Sequence, residues 1–180
     1  MIEQLRWRLL VYFAGQRKGI FHYYQPEIAS YFLSGSDEQS TSDWLGALCS
    51  VGFYCQTLSA QPGWVEIGDY TSTPDMTLWS LPPDQTLALD RLYEEREVQH
   101  WGNDTQTPDI HWPTQNAVTR FCDTYTIEAP TLRARLRQLA HRTQRAPAFA
   151  PMNEAQFTRL SPEDKVTQLE QIAVRESYYG

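Results

Sequence analysis

Pro82-Pro83 is the feature that most limits how this chain can fold. Two adjacent prolines break helix and strand alike, because each fixes its own φ and lacks a backbone N–H. The 180 residues are therefore expected to divide there, into residues 1–82 and residues 83–180, each with its own core. The material for two cores is present: 41% of residues are hydrophobic and 13% aromatic, against 21% charged. That balance excludes wholesale disorder. The glycines and prolines show no repeat, which excludes collagen-like and low-complexity classes.

Before the prolines, apolar residues first recur at helical spacing. Leu5, Leu9, Tyr12 and Phe13 predict a helix over 3–14, stopped by Gly15. Pro26 opens a second helix with Ile28, Ala29, Phe32 and Leu33 on its apolar face, ended by Gly35. Ser40-Thr41-Ser42-Asp43 has capping-box spacing and opens a third helix through Trp44, Leu45, Leu48 and Val51 to Gly52. Trp64-Val65-Glu66-Ile67 alternates as a half-buried strand does, and Met76–Leu81 is expected to pair with it across a turn at 71–75.

Helix, helix, helix, hairpin is the order of the winged-helix fold, which residues 2–82 resemble. Leu45, Leu48 and Gly52 stand where such folds carry the Leu-x-x-Leu-x-x-x-Gly that closes the third helix. The resemblance implies a recognition-position helix with Ser42, Asp43, Gly46, Ala47 and Ser50 outward, and a wing with Glu66, Asp69 and Asp75. These residues are small, neutral or acidic, whereas a DNA-reading helix presents basic and polar side chains. The surface therefore suits close approach by a protein.

After the prolines the pattern is helical. A helix is expected over Asp84–His100, then a loop from Gly102 to Pro113 whose Trp101 and Trp112 dock on the body or on a partner. Thr114 is read as the cap of a helix bearing Val118, Phe121, Cys122 and Tyr125. A break at 126–130 precedes a helix striped by Leu132, Leu136, Leu139 and Ala140. Residues 114–145 thus resemble a helix-turn-helix, with Cys122, Ile127 and Leu132 at its buried positions and Arg135 where that pattern carries an apolar residue. Residues 146–151 read as a linker, and Pro162 opens a last helix over 162–176. The fold class expected is mainly α with a small β-hairpin: an N-terminal winged helix followed by a helical C-terminal region.

Charge is segregated along the chain. The net charge is −7, yet residues 19–90 hold no Lys or Arg and nine acids. That stretch is unsuited to phosphate, since nucleic-acid affinity comes largely from cations on the backbone. Arg133, Arg135, Arg137, Arg142 and Arg145 crowd one helix instead and are the expected nucleic-acid contacts. The opposing expectation is that these arginines pair with carboxylates of the chain itself.

The three cysteines, Cys49, Cys55 and Cys122, do not form a disulfide framework or a zinc-ligand spacing. His100-Trp101 and His111-Trp112 recur around Asp104 and Asp109, a place for a metal or thiol site, and Cys122 with His111 or His141 is the alternative nucleophilic pair. No Walker, GxGxxG or GxSxG motif occurs. No cofactor, metal or membrane span is expected. The absence of a small-residue cleavage site after the N-terminal apolar pattern points to a cytoplasmic protein, and the absence of those motifs to a non-enzymatic one. The leading reading is a subunit or regulator of a nucleoprotein assembly: its acidic winged helix binds a protein partner or a second copy, and its arginine helix touches DNA or RNA. The alternative is a protein-protein adaptor, in one variant a DNA mimic, with no nucleic-acid contact.

Overall fold

The computed structural model describes residues 2–13, 17–68, 77–107, 109–147 and 154–179. Of these, 59% are helical and 14% lie in strands, so the chain is mainly α with little β structure. It divides into two compact units, Met1–Arg96 and Glu97–Gly180. Pro82-Pro83 marks the start of α4 (Pro83–Asp104), and the division falls inside that helix. A proline in a first turn forfeits no hydrogen bond, because the N–H it lacks has no helical acceptor there.

Unit 1 corrects several expectations. The first helix, α1, covers only Ile2–Trp7, and Leu10–Phe13 forms strand β1. Leu-Val-Tyr-Phe fits a pleated surface better than a helix, where β-branched and aromatic side chains lose rotamers. β1 pairs antiparallel with β2 (Arg17–Ile20) and parallel with β5 (Trp79–Ser80), in a three-stranded sheet ordered β2-β1-β5. The Phe13 ring lies over Gly19, where a Cβ would sit 2.7 Å from it.

α2 (Pro26–Gly35) falls where expected. α3 (Glu38–Leu45) starts and ends earlier than the predicted third helix. Its cap is Asp37 rather than Ser40: the Asp37 carboxylate accepts the Ser40 N–H at 2.6 Å. Gly46, at φ +56°, ends it. The rest of the predicted helix runs into strand β3 (Ser50–Cys55), whose residues alternate between exposed and half-buried. The hairpin therefore differs from the one expected. β4 (Gly63–Gly68) contains Trp64–Ile67 but pairs antiparallel with β3, Tyr54 opposite Trp64 and Gly52 opposite Glu66. The expected partner strand supplies β5 to the other sheet instead. Met76 and the 71–75 turn, with the wing acids Asp69 and Asp75, lie outside the described residues.

The core of unit 1 gathers Val11, Phe21, Ala29, Phe32, Leu33, Trp44 and Leu45. Two polar residues of the N-terminal segment are buried beside it. Arg8 donates to the Trp44 and Asp43 carbonyls, at 2.9 Å each, and its guanidinium lies 4.8 Å from the Trp79 ring centre. Gln4 donates to the Leu45 carbonyl and accepts the Ala47 N–H at 3.1 Å. The free carbonyls at the end of α3 are thus satisfied from within the unit. A second buried knot is Glu95 on α4, which accepts from Tyr31, from Ser59 at 2.6 Å and from Arg91 at 2.8 Å. Burial, and then the bond to Glu95, push the Tyr31 phenol well above its usual range.

Unit 2 follows the sequence more closely. α5 (Trp112–Thr124) begins two residues before Thr114, with Pro113 in its first turn. α6 (Pro130–Thr143) follows a tight turn in which Thr126 takes φ +56° and the Ile127 N–H reaches the Cys122 carbonyl at 2.8 Å. α7 (Glu154–Thr158) is a short helix that the sequence did not suggest, and it buries Phe157. α8 (Pro162–Tyr179) is capped by Ser161, whose hydroxyl accepts the Asp164 N–H at 3.1 Å. Val118, Phe121, Cys122, Tyr125, Ile127, Leu132, Leu136, Leu139, Phe157, Val166 and Leu169 are buried in one core. Lys165 is buried too, and its ammonium donates to the Tyr125 carbonyl at 3.0 Å, at the end of α5. Residues 148–151 of the expected linker lie outside the described residues. The predicted loop 102–113 shortens, because α4 runs on to Asp104 and carries Trp101 and Gly102 with it.

Candidate functional site

α6 carries the five arginines expected to meet nucleic acid, and the structure sorts them into two groups. Arg133 donates through Nε to the Ile127 carbonyl at 2.9 Å and to Asp123 at 2.6 Å. Arg135 is gripped by two carboxylates of α8: it meets both oxygens of Glu170, at 3.1 and 2.8 Å, and also bonds Glu163. These carboxylates raise the Arg135 guanidinium further above its usual range, and Arg135 in turn holds Glu170 below the ordinary carboxylate range. Arg137 is 2% exposed and donates to Glu97 on α4 at 3.1 Å. Its Nε and second terminal nitrogen are buried without an acceptor among the described residues. Arg142 and Arg145 are exposed in the last turn and just beyond it. At least three of the five expected contacts are therefore engaged inside unit 2. A buried or bidentate pair yields its cation only at the cost of leaving the carboxylate unpaired.

The residues expected to face a partner also separate. Asp43 and Ala47 are exposed, Ser42 is half-buried, and Ser50 is the exposed first residue of β3. The Asp43 carboxylate accepts from the Gln39 amide at 2.9 Å. Gly46 is buried beneath the Gln4 amide, which any Cβ there would strike. It belongs to the interior, not to a docking face, because Gln4 closes the end of α3. Trp101 is buried on α4 with its ring edge-on to His141, and Trp112 is half-buried at the start of α5. Trp101 is therefore an anchor within unit 2.

Sequence reasoning missed a surface on the β3–β4 hairpin. One face of the hairpin, with Val51, Phe53 and Ile67, packs against the unit 1 core. The other face presents Tyr54, 40% exposed, and Trp64, 78% exposed. They are cross-strand partners in edge-to-face contact, ring centres 6.0 Å apart. Gly52 and Glu66 are the next outward pair, so an exposed carboxylate stands beside the aromatic pair above a strand with no side chain in the way. The signal was present in the alternation Ser50-Val51-Gly52-Phe53 and the turn residues Gln61-Pro62-Gly63.

The histidines of the 100–112 segment have local partners. His100 meets Asp104 one turn on, at 3.3 Å, and His111 Nδ1 lies 2.7 Å from the Thr114 hydroxyl. No group of three or more metal-type ligands occurs among the described residues. Burial pushes the Cys122 thiol up to about 11, which keeps it protonated near neutral pH. No described helix is long and apolar enough to cross a membrane. No family model, curated protein or solved structure matches the chain.

Proposed function

We propose that the chain is a protein-interaction module whose β3–β4 face docks a cation-bearing segment of another protein. The observation that carries this reading is the exposed Tyr54–Trp64 pair with Glu66 beside it, inside a stretch, 19–90, that holds no Lys or Arg. Tyrosine and tryptophan supply large contact area at low entropic cost and dominate binding hot spots. A Lys or Arg laid on an exposed aromatic face gains about 0.5–1 kcal/mol, and a neighbouring carboxylate adds to that. The winged-helix resemblance stays part of the proposal, supported by the chain order α2, α3, β3–β4.

The nucleoprotein reading has less support. With Arg133, Arg135 and Arg137 held by carboxylates, at most Arg142 and Arg145 remain to it, and Arg145 has a partner of its own. Two phosphate contacts would give a shallow salt dependence, a log–log slope of about −2.

The two readings part in one titration. Lysine- and arginine-bearing peptides, glutamate-bearing controls and a duplex DNA are added in turn while backbone and indole NMR signals are followed. Cationic peptides are expected to shift Tyr54, Trp64 and Glu66, and Trp64→Ala to weaken that binding by about 2 kcal/mol. DNA binding that survives Trp64→Ala and is lost on replacing Arg142 and Arg145, with no response to peptides, reverses the assignment.

A further inference from the structure

We infer that unit 2 holds a binding site for a small organic oxyanion with hydroxyl groups on its body, formed where the end of α6 meets the turn after α4. A cleft of about 450 Å³ opens there, within the ~300–1,000 Å³ of small-molecule sites. Gln138, His141 and Arg142 line it from α6, at a spacing that puts them on one helical face. Thr105, Thr107 and the rim of Trp101 line it from α4 and the turn beyond.

The polar groups of this face are unspent, unlike those of the Arg133–Arg137 segment. Among the described residues, the Gln138 amide, the His141 ring nitrogens and the Arg142 guanidinium have no hydrogen-bond or ion-pair partner. Glu170 senses Arg142 only at longer range. No carboxylate lines the cleft, and Asp104, next to Thr105 in the chain, is turned to His100. The carbonyls at a helix end repel an anion, but two of those at the end of α6 already accept hydrogen bonds. The Ala140 carbonyl accepts the Arg145 N–H at 3.2 Å, and the His141 carbonyl accepts the Gln144 amide at 2.7 Å. A carboxylate or phosphate can therefore take the Arg142 fork bidentately.

The opposite wall selects the rest of the ligand. Thr105 donates its hydroxyl proton to the Trp101 carbonyl at 2.7 Å, so the Thr107 hydroxyl, 3.1 Å away, donates to Thr105. Both hydroxyl protons are used within the protein. What remains toward the cleft are lone pairs, which match ligand hydroxyl donors. An oxyanion at one end and hydroxyls at the other describe a sugar phosphate or a sugar acid. The site is independent of the hairpin face and stands whether or not that face binds a partner.

The test follows the Trp101 indole and Arg142 Nε signals by NMR while glucose 6-phosphate, gluconate or glucose is added to the full chain. The first two compounds separate a phosphate from a carboxylate ligand. At least one of the two anions is expected to give saturable shifts at both residues, with glucose giving none. Arg142→Gln, at an exposed position, is expected to weaken binding by about tenfold or more, while Arg145→Gln leaves it unchanged. No saturable shift below about 10 mM, equal binding by glucose, or equal binding by the Arg142→Gln variant overturns the site. So does an Arg142 signal that moves only with oligothymidylate, which would assign the arginine to nucleic acid.

Discussion

Glu95 and Arg137 are both buried charges, one in each unit, and the protein holds them in opposite ways. Glu95 is an anion with three donors, Tyr31, Ser59 and Arg91, so its lone pairs are well satisfied. Its cationic partner, Arg91, is largely exposed. Arg137 is a cation with a single half-exposed carboxylate, Glu97, and two of its nitrogens find no acceptor among the described residues. The two glutamates sit two residues apart on α4, yet one is the buried partner and the other the exposed one. Glu95 is thus stabilised by a network, and Arg137 by one ion pair among the described residues. Sequence charge and surface charge are different quantities in both.

The largest effect expected is on the network. Glu95→Ala leaves the Tyr31 hydroxyl and the Ser59 loop without their shared acceptor, and should destabilise unit 1 by about 3 kcal/mol. Urea unfolding followed by tryptophan fluorescence measures it. A loss below about 1 kcal/mol would mean that water replaces the carboxylate and the network is not a stabiliser.

Glu97→Ala strips Arg137 of its only described acceptor and should cost unit 2 about 2 kcal/mol. That is less than the 3–5 kcal/mol of a fully buried pair, because Glu97 is half in water. Adding Arg137→Met to that variant removes the stranded charge and should restore most of the loss. If the double variant is no more stable than Glu97→Ala alone, the cost was packing rather than charge.

The smallest effect concerns acid. Arg135 holds Glu170 below the ordinary carboxylate value of 4.5, so the pair's stabilisation is present above about pH 4.5 and fades as pH falls through the lowered value. Both groups are partly in solvent, so the contribution is screened to under about 1 kcal/mol. Melting temperatures between pH 5 and pH 3 should fall less steeply for Glu170→Gln than for the parent chain. Identical slopes would remove Glu170 from the acid response.

Legibility differed between the units for a physical reason. α5, α6 and α8 are long enough for their apolar stripes to declare themselves, and Leu132, Leu136 and Leu139 lie buried where periodicity placed them. In unit 1 the elements are short, and a four-residue strand such as Leu10–Phe13 can be read as the tail of a helix because Leu9, Tyr12 and Phe13 also fit helical spacing. Hairpin pairing was harder still. Nothing within Trp64–Ile67 tells whether 50–55 or 76–81 will pair with it, since register is set by which face reaches the core. The candidate surfaces divide in the same way. The arginines of α6 were legible as a cluster, but the carboxylates that hold Arg135 come from α8, some thirty residues on. Gln4, Arg8 and Lys165 looked like surface residues, and each instead closes the end of a helix.

The amino-acid sequence by itself determined the mainly helical character, the long helices α5, α6 and α8 of the second unit and the separation of cations from anions along the chain, because these follow from local spacing and composition. The tertiary structure alone decided which strands pair, which arginines are consumed in ion pairs, and which aromatic residues stay in water. Those outcomes depend on contacts between residues far apart in the chain, where burial and partner geometry outweigh local preference.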